Sequence, residues 1–192
     1  SWKREKRWLD PGELSCKQRV LDRRRYVMMT PQAGLFTLMG QVFHNNYTDG
    51  IRELGFHMEK ERFYLDVREG EKNVALSVGF GKAEYASIDF HGAVEGRFAS
   101  DEDGREVLAL TIYYLEDAIQ RRIKIFFEEE KIEVHFSEVP GKKIILDGLA
   151  SITSVLSDVA VVRKIREKGN VDLLTVAMEG TIEPVVRGRR II

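Results

Sequence analysis

Arg62 to Phe80 reads RFYLDVREGEKNVALSVGF. Phe63, Leu65 and Val67 alternate with Tyr64, Asp66 and Arg68. After Glu69-Gly70-Glu71 the alternation resumes through Val74, Leu76, Val78 and Phe80. A period of two puts the apolar side chains on one face of an extended chain. A short break containing Gly suits a hairpin turn. The stretch therefore predicts two antiparallel strands, each with one buried face.

The same period runs on toward the C-terminus. Ala86, Ile88 and Phe90 form one row, Val94 and Phe98 flank Gly96, Ile119, Ile123, Ile125 and Phe127 follow, and then Ile132, Val134 and Phe136. Val107 to Leu115 is nearly all apolar, which predicts a strand covered on both faces. The breaks are short: Gly81-Lys82, His91-Gly92, Asp101 to Gly104, Glu116-Asp117 and Glu129-Glu130. Breaks of this length join antiparallel neighbours, because a parallel crossover needs a dozen residues or more. The expectation is a meander of about seven strands within residues 56–137.

The flanks read as helical. Thr30 suits an N-cap and Pro31 a first helical position, with Leu35, Leu38, Met39 and Val42 on one face. A short turn from Asp49 to Leu54, stopping at Gly55, would follow. After Pro140-Gly141, Leu149, Ile152, Val155, Leu156, Val159, Val162 and Ile165 form an apolar stripe between Asp147 as N-cap and Gly169 as C-terminal stop. Two closing strands are expected at Val171–Met178 and Thr181–Val186, with Pro184 confining the last to a sheet edge. The resulting fold class is α+β. It comprises a curved antiparallel meander, barrel- or cup-like, with an N-terminal helix and a long C-terminal helix packed on the sheet.

The chain has 192 residues, with 30 basic and 31 acidic side chains, 43% hydrophobic and 32% charged residues. That balance excludes a disordered chain. A single cysteine, Cys16, excludes a disulfide scaffold and leans toward the cytoplasm. The formal charge of −1 argues against nucleic acid as a partner. Residues 1–30 hold nine basic and four acidic residues. They read as a basic N-terminal arm ahead of a single α+β domain at 31–192. Lys3, Arg4, Lys6, Arg7, Arg23, Arg24 and Arg25, with Trp2 and Trp8 among them, suit an anionic partner or a lipid surface. Tyr26 to Thr48 carries no Asp, Glu, Lys or Arg, but its Pro, Gln, His and Asn residues speak against a membrane span.

Few residues suggest chemistry. His44, Asp49 and His57 could converge as an acid–base or metal group if the chain turns at Gly55, although no tight His pair fixes ligand spacing. No metal site and no cofactor is expected. Asp101-Glu102-Asp103-Gly104 resembles half a calcium loop but sits where a hairpin turn belongs. Gly79-Phe80-Gly81-Lys82 lacks the spacing and following helix of a phosphate loop. Leu21 to Tyr26, LDRRRY, resembles the arginine motif of PilZ-type cyclic-dinucleotide receptors. Asp89-Phe90-His91-Gly92 departs from that family's Asp-x-Ser-x-x-Gly element in both serine and spacing, so the resemblance is confined to a handful of residues.

The leading expectation is a non-enzymatic binding or assembly module, held near a membrane or an anionic partner by its arm. A structural subunit pairing with a second copy through an edge at Thr181–Val186 is one variant. The alternative is a small enzyme or a carrier of apolar ligands that uses the concave face of the sheet.

Overall fold

The structure, a computed structural model, describes residues 9–30, 33–38, 40–41, 48–87, 91–141, 144 and 183–192. One helix, α1 (Pro11–Leu21), precedes ten strands. These are β1 (Arg25–Met28), β2 (Ile51–Glu59), β3 (Arg62–Glu69), β4 (Lys72–Phe80), β5 (Glu84–Ser87), β6 (His91–Ser100), β7 (Glu106–Tyr114), β8 (Gln120–Phe127), β9 (Lys131–Val139) and β10 (Val185–Arg190). Their order is β4-β3-β2-β1-β10-β9-β8-β7-β6-β5, with a further pairing of β4 to β6.

That last pairing closes a barrel of nine strands. Each neighbour pair is antiparallel except β4–β6, where Gly79 faces Glu95 and Phe80 faces Gly96 in parallel. The parity demands it. A ring with an odd number of strands cannot alternate direction all the way round, so one pair must run parallel. The short β5 pairs with the other half of the same β6 edge, Glu84 to Val94 through Ser87 to His91. Closure needs close approach at Gly96, where a Cβ would stand 2.5 Å from Val78 Cγ1.

The fold class is therefore corrected. Among the described residues the sheet closes on itself into a barrel with one short helix, in place of an open α+β sheet. The expected helix from Asp147 to Gly169 and the strand Val171–Met178 lie outside the described residues. Of the helix expected after Thr30, residues 33–37 are not helical and 38, 40 and 41 are, while 31–32, 39 and 42–47 lie outside the described residues; Asp49 to Leu54 leads into β2 instead of forming a helical turn. Val107 to Leu115 is not covered on both faces, because Ala109, Thr111 and Tyr113 remain partly exposed.

Of the residues read as an arm, 11–21 form α1 and 25–28 form a barrel strand. Asp10 caps α1 by accepting from the backbone N–H groups of Gly12 and Glu13, and Glu13 reaches back to the Asp10 N–H. Leu21, Tyr26 and Met28 are core residues. The last strand is no edge: β10 has β9 on one side and β1 on the other. Pro184 stands just before it, and its carbonyl accepts the Phe136 N–H, so no ladder bond is lost.

The interior is layered along the barrel axis. At the end nearest α1, rings from six strands meet across the lumen. Tyr26, Phe56 and Phe127 form one cluster, with centroids 5.8–6.5 Å apart. Phe63, Phe80 and Phe98 form a second, and Phe63 stacks on Phe56 at 5.7 Å. The middle is aliphatic, with Leu65, Leu76, Val94, Leu110, Ile112, Ile123, Ile125 and Val134 buried. The far end is polar.

Candidate functional site

At that far end four inner-face rows finish on polar residues. On β3, Phe63, Leu65 and Val67 are followed by Glu69; on β7, Leu110 and Ile112 by Tyr114. On β8, Ile125 and Ile123 are preceded by Arg121, and on β9, Val134 and Phe136 are followed by Glu138. The register sets Ile112 beside Arg121 and Arg121 beside Glu138, so three adjacent strands bring these groups together.

Residues 33–38, with 40 and 41, run across this end and tie to the same side chains. The Leu35 N–H donates to Glu69 Oε2 at 2.9 Å, and the Leu38 N–H to Glu138 Oε2 at 2.8 Å. The Tyr114 hydroxyl donates to the Leu35 carbonyl, and the Thr48 hydroxyl to Glu69 Oε1. Phe36 packs edge-on against the Tyr114 ring at 5.1 Å. Leu35 and Thr37 are buried.

Arg121 and Glu138 are 2% and 1% exposed at the side chain, and Arg121 Nη1 lies 3.8 Å from Glu138 Oε2. That is an ion pair without a hydrogen bond. Among the described residues, Arg121 Nε and Nη1 and Glu138 Oε1 are buried with no hydrogen-bond partner. The guanidinium stacks over Phe136, 5.0 Å from the ring centroid. Burial lowers the Arg121 pKa, partly offset by the Glu138 charge. Burial also raises the Glu138 carboxyl above its usual range, against the pull of Arg121 and the Leu38 N–H. The Tyr114 hydroxyl is pushed up by burial as well. The arrangement is a desolvated cation with unspent donors beside a carboxyl that resists ionisation. It suits a ligand group that accepts hydrogen bonds.

The residues singled out from sequence lie elsewhere. His57 faces outward on β2, where Nδ1 stands 2.7 Å from Asp66 Oδ2 and the ring stacks on Tyr64 at 4.7 Å. Asp49 lies against Gly70 at the β3–β4 turn. The run of strand from Ile51 to His57 keeps them about 20 Å apart, so the proposed His44–Asp49–His57 group does not assemble. His44 is outside the described residues, as are Lys3, Arg4, Lys6 and Arg7. Arg23 and Arg24 form the turn into β1, with the Arg23 N–H donating to the Phe56 carbonyl at 2.8 Å, and Arg25 is the first residue of β1, exposed on its outer face. Asp101 holds the β6–β7 turn, accepting from the N–H groups of Asp103 and Arg105 and pairing with Arg105 Nε at 2.7 Å. Among the described residues no group of three or more His, Cys, Asp or Glu could hold a metal ion. No helix among them is long and apolar enough to cross a membrane.

Arg121, Glu138 and Tyr114 were missed in the sequence, although a signal existed. Each occupies the next inward position of an apolar period-two row. A polar residue in phase with a buried row is the mark of a buried polar site.

No protein-family profile matches the chain, and no curated protein matches it in sequence. Among solved structures, apo lipid binding protein 8 of Caenorhabditis elegans is similar at a TM-score of 0.41 and 11% identity, over 64% of this chain and 88% of that one. At that level the likeness adds nothing to a reading of function.

Proposed function

We propose that the barrel carries a small, largely apolar ligand bearing one acidic group, held by Arg121 at the polar end. The observation behind this reading is the Arg121 guanidinium itself, buried on the inner face with two nitrogens that have no hydrogen-bond partner among the described residues. A buried polar atom without a partner costs about 1–3 kcal/mol, and more when charged. A ligand carboxylate would recover that cost. The neighbouring inner face is aliphatic and matches an apolar tail. Access at this end requires the segment carrying Leu35 and Leu38 to lift, breaking its hydrogen bonds to Glu69, Glu138 and Tyr114.

The test is calorimetric titration of delipidated protein with decanoate and with decanol. A charge-assisted hydrogen bond is worth about 1.5–3 kcal/mol, so decanoate is expected to bind roughly 10- to 100-fold tighter, at one per chain. Arg121→Lys is expected to remove at least about tenfold of that preference, because an ammonium lacks the planar fork. Equal affinities, or no binding of either, would overturn the proposal.

A further inference from the structure

A second feature lies on the outside of the barrel, where β1 and β10 meet. Their register sets Val27 opposite Arg189. The ladder continues on both sides, with the Met29 N–H donating to the Arg187 carbonyl and the Ile191 N–H to the Arg25 carbonyl. On the outer face this yields Arg25 with Ile191, Val27 with Arg189, and Met29 with Arg187. Each cross-strand pair joins one arginine to one apolar side chain, with the arginine on β1 in the first rung and on β10 in the other two. The apolar members are open to solvent: Met29 is 69% exposed, Ile191 53% and Val27 40%.

The charges on this face are largely unspent. Among the described residues neither Arg25 nor Arg189 has a carboxylate within ion-pair distance, and the next rung beyond Arg189 adds the exposed Lys131. Arg187 is the exception, 3.3 Å from Glu133. The seam itself is cationic on a chain of net charge −1, and the carboxylates on the flanking strands, Glu53 opposite Val27 and Glu133 opposite Arg187, are paired with Arg68 and Arg187. Both strands are fully paired in the barrel, so a partner cannot add a strand here and must meet the side chains.

We infer that this face docks on an anionic lipid surface. Arginines interleaved with exposed Met, Val and Ile match both layers of such a surface, the anionic headgroups and the apolar region beneath them. A nucleic acid would leave the apolar members unused. The inference stands apart from the ligand reading, since it involves none of the inner-face residues.

Co-sedimentation of the full chain tests it, with phosphatidylcholine vesicles and with vesicles in which about a third of the lipid is phosphatidylserine. Three variants are compared: Arg25→Gln/Arg189→Gln, Met29→Ser, and a control, Lys3→Gln/Arg4→Gln/Lys6→Gln/Arg7→Gln. The wild-type chain is expected to bind the anionic vesicles only, and to release at high salt. Each basic residue near the surface contributes about fivefold, so the double seam variant should partition about 10- to 30-fold more weakly. Met29→Ser should weaken binding with its charge unchanged, and the control should keep most of it. The substituted seam residues are exposed, and circular dichroism checks that the fold is retained. The inference is overturned if wild type ignores anionic vesicles, or if the seam variant binds as wild type does. It is also overturned if the control loses binding that the seam variant keeps, or if Met29→Ser dissolves a self-association without affecting vesicles.

Discussion

Replacing Arg121 by Met removes the cation at the polar end and leaves Glu138 buried beside an uncharged neighbour. The pair is almost wholly excluded from solvent, at 2% and 1% side-chain exposure, and its 3.8 Å separation provides no hydrogen bond. Breaking such a pair from one side costs about 3–5 kcal/mol, while neutralising both partners is often neutral or stabilising. Arg121→Met at neutral pH is therefore expected to lose about 3–5 kcal/mol. Arg121→Met/Glu138→Gln, which keeps an acceptor for the Leu38 N–H, should recover most of it. The pH dependence follows from Glu138, whose carboxyl is raised by burial. A group raised in the folded state gives its full stability below its unfolded pKa and loses it as pH rises through the folded value. The penalty of the single variant should thus be greatest near pH 7 and shrink toward the unfolded glutamate value of about 4.3. Urea denaturation read by linear extrapolation at several pH values measures it. A double variant as unstable as the single, or a penalty that grows on acidification, would refute the reasoning.

Phe63→Ala opens the aromatic layer and is expected to cost about 3–5 kcal/mol in urea denaturation, while Tyr64→Ala on the opposite face should shift the midpoint far less. Gly96→Ala drives a Cβ to 2.5 Å from Val78 Cγ1 at the parallel seam; a loss of about 1–3 kcal/mol is expected, with faster amide exchange at Phe80 and Gly96. Glu133 is held below the usual carboxylate range, first by its hydrogen bond to His135 and also by Arg187. It therefore supports folding above its unfolded pKa, and that support fades as pH falls through the depressed value. Glu133→Gln should flatten the acid limb of the stability profile, and carboxyl NMR titration locates the midpoint.

The strands from Arg62 to Val139 were legible because each is local: alternation sets the face and short turns set the antiparallel order. Closure was not legible, since the contact of Phe80 with Gly96 joins strands with no local signature. Two strands were misread for specific reasons. In β2 a register shift between Ile51 and Glu53 leaves Ile51, Leu54 and Phe56 inward, and the spacing of three from Ile51 to Leu54 imitates a helical turn. In β1 only four residues pair, and they follow directly on the arginine run that reads as a tail. The Asp10-Pro11-x-Glu13 cap was a readable start for α1, hidden within a segment judged by its charge. The polar end was half legible: Ile119, Ile123, Ile125 and Phe127 stood out as a row, while Arg121, in phase with them, did not.

The account turns on whether Arg121 meets a ligand inside the barrel. Its Nε–H is buried and without a partner, so proton–nitrogen NMR observes it directly during titration with decanoate. This resonance is expected to move downfield and to saturate at one ligand per chain, with decanol leaving it in place. An Arg121 Nε–H that stays fixed while decanoate binds elsewhere, or never binds, would contradict it.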